Sequence, residues 1–161
     1  MHEKVCWQRL TEADLPALLE LCLGNAAYYS YIRCTPDREN LREQLTVLPP
    51  GAALEQKQFL GRWDGADLTA ILDLILDWPR PGVAYIGWLM VARSRQGSGI
   101  GWQTVTQLAE QLKTKGYHTL RLGCVEDNLP GLTFWRACGF VATGERADEG
   151  EYTVVLLEKR L

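Results

Sequence analysis

The stretch Val91-Ala-Arg-Ser-Arg-Gln-Gly-Ser-Gly-Ile-Gly-Trp102 is the part of the chain best suited to chemistry. An apolar run leads into a turn with glycines at 97, 99 and 101, and the turn opens onto a helical pattern. Such a turn lines up several backbone N–H groups, and the helix start adds partial positive charge. Together they make an anion site suited to a phosphate or pyrophosphate. Glycine there lets the backbone approach closely and accepts positive φ. A plain strand-to-helix turn can carry the same spacing, so spacing alone leaves both readings open. Two familiar phosphate loops are excluded. The Walker A loop ends in Gly-Lys-Ser/Thr, whereas Gly101 is followed by Trp102-Gln103. The dinucleotide fingerprint Gly-x-Gly-x-x-Gly, counted from Gly97, places its third glycine on Trp102.

Several elements must hold this turn in place. Lys4–Leu10 alternates as a first strand. Thr11-Glu-Ala-Asp14 reads as a helix start, followed by Leu15, Leu18, Leu19 and Cys22 at helical spacing. Asn25–Ile32 breaks that spacing and carries Tyr28, Tyr29 and Tyr31. Asp37–Leu48 is a second helix, stopped by Pro49-Pro50-Gly51. Gln58–Trp63 and Leu68–Leu76 form a hairpin about Asp64-Gly65. Val83–Val91 is almost wholly apolar, as a strand covered on both faces should be. A helix from about Gly99 to Lys115, a strand Thr119–Val125 and a short helix Pro130–Cys138 follow. Two closing strands, Phe140–Glu145 and Tyr152–Glu158, flank a turn at Asp148-Glu-Gly150. The order predicts one mixed α/β domain over residues 1–161, with a parallel βαβ unit from Val83 to Val125.

Composition narrows the function classes. Lys and Arg number 17 against 20 Asp and Glu, a net charge of −3, which argues against general nucleic-acid binding. The apolar runs Leu21–Ile32 and Pro81–Ala92 are too short for the ~20 residues of a bilayer span, so no membrane partner is expected. The charged start MHEKVCWQRL lacks the apolar stretch of a secretory signal. Five cysteines without a C-x-x-C are expected as free thiols in a cytoplasmic protein. With only His2 and His118 to join them, no metal site is expected.

A third loop pattern, Gln/Arg-x-x-Gly-x-Gly/Ala, fits Gln96-Gly-Ser-Gly99-Ile-Gly101 at every position. It resembles the acyl-CoA loop of the GNAT superfamily of N-acetyltransferases. Two further features extend the resemblance. Val91 lies five residues before Gln96, where the family's strand ends. Asn128-Leu-Pro-Gly131-Leu-Thr-Phe134-Trp135-Arg-Ala-Cys-Gly139-Phe140 is similar to the family's Asn-x-x-Ala-x-x-(Leu/Phe)-Tyr-x-x-x-Gly-Phe, in length and register. The likeness spans essentially the whole chain and is sharpest over 83–145. Gly131 replaces the usual Ala. Trp135 replaces the Tyr that in many members protonates the leaving thiolate; an indole N–H is no useful acid, although a thiol with a pKa of ~8.5 leaves readily as thiolate.

The resemblance implies a mixed sheet of about seven strands with about four helices, parallel strands splayed at the cofactor site, and acetyl-CoA as acyl donor. It implies contacts to that donor from Leu89, Met90 and Val91 on the strand, with a backbone N–H near Met90 for the oxyanion. Further contacts are implied from Gln96, Gly97, Ser98, Gly99, Ile100, Gly101 and Trp102 in the loop, and from Asn128 and Trp135 beyond it. The acceptor, a primary amine on a small molecule or peptide, is expected near Tyr28, Tyr29, Tyr31, Arg33, Asp73 and Asp77. Neither carboxylate used as a base by other members is present: those positions are Tyr85 and Gly123. Tyr85, through a water, stands first as base, with Asp73 and Tyr152 as alternatives. Cys124 and Cys138 have no nearby His partner, which disfavours a covalent intermediate. A catalytically silent acyl-CoA-binding module and an unrelated nucleotide-binding domain are the competing readings. Family members often dimerise, so a homodimer is one arrangement open to the chain.

Overall fold

The computed structural model describes residues 5–161. Lys4, the expected start of the first strand, lies outside them. Seven strands form one mixed sheet in the order β1-β2-β3-β4-β5-β7-β6. They are β1 Val5–Arg9, β2 Lys57–Asp64, β3 Asp67–Leu76, β4 Val83–Val91, β5 Thr119–Val125, β6 Val141–Asp148 and β7 Thr153–Arg160. Five α-helices accompany them: α1 Leu15–Leu23, α2 Ala26–Ile32, α3 Arg38–Gln44, α4 Ile100–Thr114 and α5 Leu129–Ala137. The expected count of about four helices is short by α2. The break at Asn25 is real, but the chain resumes helix one residue later. Asn25 is buried, with its side-chain amide donating to Leu21 O at 2.9 Å, so it turns the chain between two helices.

The sheet carries a core on each face. On one face Ile71 and Phe59 pack beneath α1–α3 through Leu15, Leu18 and Leu41. On the other, Leu72, Leu74, Ile86 and Leu122 pack beneath Val105, Leu108 and Leu112 of α4 and Leu132 and Trp135 of α5. Alternation along β3 and β4 sends successive side chains to opposite cores, which is why both strands read as continuous apolar runs. The β2–β3 hairpin closes on two residues, with Asp64 opposite Asp67 and Gly65 at φ +60°.

One local feature decides the layout of the site. β4 pairs with β5 in parallel only from Val83 to Ile86. It pairs with β3 along its whole length, but the register slips between Asp73↔Trp88 and Leu74↔Ile86. Gly87 is the extra residue. This bulge bends β4 away from β5, and the two strands part beyond it. Behind the bulge sits a buried ion pair. Lys57 Nζ donates to both Asp73 carboxylate oxygens, at 3.0 and 2.9 Å, and a Cβ on Gly87 would lie 2.9 Å from Asp73 Oδ2. Lys57 is 2% and Asp73 7% exposed.

Removing one partner of such a pair leaves a buried charge alone, at about 3–5 kcal/mol. Lys57→Met should therefore lower unfolding free energy by about that much in urea denaturation. Adding Asp73→Asn, which removes the stranded charge, should recover part of the loss.

Candidate active site

The parting of β4 from β5 opens a cavity of about 710 Å³ that runs from the glycine turn to the β6–β7 turn. Its foot is built as the sequence suggests. Gly97 and Gly99 take φ of +79° and +88°, and a Cβ on either would point into open space. Gly99 precedes α4, and the first N–H turned back into that helix is that of Gln103, on Gly99 O at 2.9 Å. The amides of Gly97, Ser98, Gly99, Ile100, Gly101 and Trp102 donate to no described residue. Gly101 serves differently: a Cβ there would come within 3.2 Å of Phe134, so its absence lets α4 and α5 close together.

Gln96 borders the cavity, but its side-chain amide is committed within the protein. Its side-chain amide donates to Asn25 Oδ1 at 2.7 Å and to Val91 O at 3.0 Å, bracing the turn against the end of β4 and the α1–α2 junction. Ser98 lies off the cavity wall and its hydroxyl donates to Arg95 O. Ile100 is buried, although it borders the cavity. Trp102 is half-exposed at the rim.

Alternation assigns the backbone of β4. Ala92 N–H donates to Thr69 O at 2.8 Å, across to the β3 side. In an antiparallel ladder every second residue faces the partner. Met90, opposite Ile71, therefore spends its N–H on β3. Leu89 and Val91 face the gap, and Val91 O is already taken by Gln96 and Asn25. Near Met90, the gap-facing N–H groups are those of its neighbours Leu89 and Val91.

Asn128 caps α5, accepting from Gly131 N–H at 3.0 Å, which leaves its own NH₂ free on the cavity wall. A Cβ on Gly131 would meet that side chain at 2.6 Å, so the glycine sits where the cap needs room. Trp135 is 9% exposed and packs edge-on against Phe134 and Phe140 at 4.9 and 5.2 Å. It borders the cavity but is mainly a core side chain.

The expected acceptor residues divide. Tyr28 lines the cavity, stacked on Trp88 at 6.2 Å. Tyr29 is buried beneath it, edge-on to both rings, and Tyr31 is off the wall. Asp73 is held in the Lys57 pair and does not border the cavity; desolvation pushes its carboxyl up, against the pull of Lys57. Asp77 accepts from Gly82 N–H and Tyr117 OH, away from the site, and Arg33 borders a separate cleft. Tyr85 does line the cavity. Burial pushes its phenol up, Arg121 pulling the other way, so it keeps its proton at neutral pH and is a poor base. Tyr152 lies on the wall too, its phenol also raised by burial. The sequence reading missed Glu149, which borders the cavity from the β6–β7 turn. Its position on a hairpin turn was legible; that this turn folds over the β4–β5 gap was not.

A sheet split between two parallel strands, with free amides at the foot of the following helix, suits a ligand that joins a phosphate to an extended arm. The chain belongs to the acetyltransferase (GNAT) family, which its sequence matches over residues 24–140. The fold is shared by an acetyltransferase from Thermus thermophilus, with TM-score 0.80, 22% identity and 100% of both chains covered. It is shared by a PaiA N-acetyltransferase from Thermoplasma acidophilum solved with coenzyme A, with TM-score 0.69, 20% identity and 98% of this chain and 99% of that one covered. An aminoglycoside acetyltransferase, also solved with coenzyme A, gives 0.74 and 20% over 98% of this chain and 95% of that one. No curated protein gives a significant match.

Gly99→Glu puts bulk and negative charge among the free amides. It should abolish coenzyme A binding by calorimetry while circular dichroism stays native. Trp135→Phe should hold kcat within about tenfold of wild type, as expected of a packing side chain.

Proposed function

We propose that this enzyme transfers the acetyl group of acetyl-CoA directly to a primary amine of a small molecule or peptide. The observation that carries this reading is the run of uncommitted amides from Gly97 to Trp102, whose residues, Ser98 apart, border the same cavity as the gap-facing edge of β4. The first feature suits a diphosphate. The second offers unpaired strand backbone to an extended amide-bearing arm, as an added strand would use it. Two structural neighbours were solved with coenzyme A, which agrees with that division.

Acetyl-CoA supplies a thioester carbonyl as the acyl donor. The chain's residues supply the rest. Gly97–Trp102 hold the diphosphate, and Gln96 holds the loop. The Leu89 N–H faces the gap where oxygen charge grows during attack, a role for one donor of a few kcal/mol. Asn128 offers its NH₂ to the arm. The amine lone pair forms the C–N bond, the C–S bond breaks, the sulfur departs as thiolate, and nitrogen gives up a proton to water. Trp135 offers no acid, so the thiolate takes its proton from water. Tyr85, protonated, orients the amine or a water and does not remove the proton. Cys124 and Cys138 play no covalent part: both are buried, and burial raises both thiols, Cys124 to about 11.

Thiol release from acetyl-CoA with an amine panel tests the reading. Turnover of at least one amine is expected, with calorimetric binding of coenzyme A but not of ATP or NAD. Coenzyme A binding without thiol release from any amine would mark a binding module instead. Because burial raises Tyr85, its titration lies above the working range. Tyr85→Phe should therefore leave the ascending limb of the kcat/KM–pH profile in place, even where the rate falls.

A further inference from the structure

Gly87 is a glycine for a reason that its own backbone does not supply. It is not among the glycines with positive φ, so its conformation would accept any L residue. What forbids a side chain there is Asp73: a Cβ on Gly87 would lie 2.9 Å from Oδ2 and 3.4 Å from Cγ. That carboxylate cannot swing aside. Lys57 Nζ holds both of its oxygens, and the pair is buried.

The same cation braces the next residue. Lys57 Nζ lies 5.4 Å from the centre of the Phe59 ring. Phe59 stacks on Trp88 at 6.1 Å, and Tyr28 stacks on Trp88 at 6.2 Å. Gly87 is the bulge residue and Trp88 follows it, opposite Asp73. Both are therefore held from Lys57, one through Asp73 and the other through Phe59. The peptide that joins Trp88 to Leu89 carries the gap-facing Leu89 N–H. Neither Lys57 nor Asp73 borders the cavity.

The geometry points to Lys57 and Asp73 as positioning residues for acetyl transfer: the buried pair sets the direction in which the Trp88–Leu89 peptide presents its N–H to the thioester oxygen. This rests on the acetyl-transfer reading above and deepens it. A buried ion pair adds little net stability over apolar side chains of like size. Placement of the bulge is what this pair supplies.

Gly87→Ala should force Asp73 and the bulge apart. In the otherwise native protein kcat should fall about tenfold or more, as for a displaced oxyanion donor. Kd for coenzyme A should stay within about threefold, since the glycine turn is untouched. In a Lys57→Met/Asp73→Ala background the obstacle is gone and no charge is stranded. There the same substitution should cost less than about threefold in kcat. A second readout needs no acceptor. In leucine-labelled protein observed by NMR, exchanging coenzyme A for acetyl-CoA should shift the Leu89 amide; the shift should shrink in Gly87→Ala and return in the triple variant. Should Gly87→Ala not fold, the Lys57→Met/Asp73→Ala protein carries the test. Its kcat should fall while coenzyme A binding holds, and an unchanged kcat would overturn the proposal. Equal cost of Gly87→Ala in both backgrounds, a loss of coenzyme A binding that matches the fall in kcat, or a Leu89 amide unmoved by the acetyl group would overturn it too. Those outcomes leave acetyl transfer standing so long as wild type releases thiol with an amine. Release with none would strike the transfer reading itself, and this role with it.

Discussion

A backbone ladder that stops halfway is the constraint on which the molecule turns. β4 is a central strand, apolar on both faces and paired throughout with β3, yet its pairing with β5 ends at Ile86. Buried backbone donors and acceptors rarely go unpaired. The strand edge beyond Gly87 is therefore either wet or bonded to something that is not protein. The bulge that produces this edge is built from the least bulky residue, and the packing behind it allows no other. Asp73, pinned by Lys57, occupies the space a Cβ would need.

Other features follow from that opening. Because the strands part, α4 starts beside the gap with its first-turn amides exposed to it, and Gln96 and Asn25 clamp the end of β4 so that loop and strand keep one geometry. Across the gap, α5 closes on α4 through Gly101 and Phe134 and presents Asn128 and Trp135 to the same space. The two sheet faces thus divide the labour. The α4–α5 side carries the free amides and Asn128, and Tyr28 and the β6–β7 turn border the aromatic end.

Legibility in the sequence followed locality. The strand Val83–Val91, the strand Thr119–Val125 and the glycine turn are read at or near their observed bounds, because each is set by neighbouring side chains and by φ that only glycine tolerates readily. The short helix Ala26–Ile32 was hidden because its tyrosines face different surroundings, Tyr28 toward the cavity and Tyr29 into the core. Asp73 looked like a ligand for an amine because a carboxylate in an apolar strand is conspicuous. Its partner, Lys57, lies sixteen residues away on the adjoining strand, beyond what spacing conveys.

Sequence alone determined the order of the strands and of the longer helices, the glycine turn within residues 96–102 and the kinship carried by that loop and Asn128. Those properties reside in short segments, where backbone conformation and hydrogen-bonding capacity depend on adjacent residues. Tertiary structure alone decided which amides of β4 face the gap, that Asp73 is spent on Lys57, and that Glu149 borders the cavity from the β6–β7 turn. Register and charge pairing are set by contacts between distant strands, and a one-residue slip at Gly87 reverses which side of β4 each N–H faces.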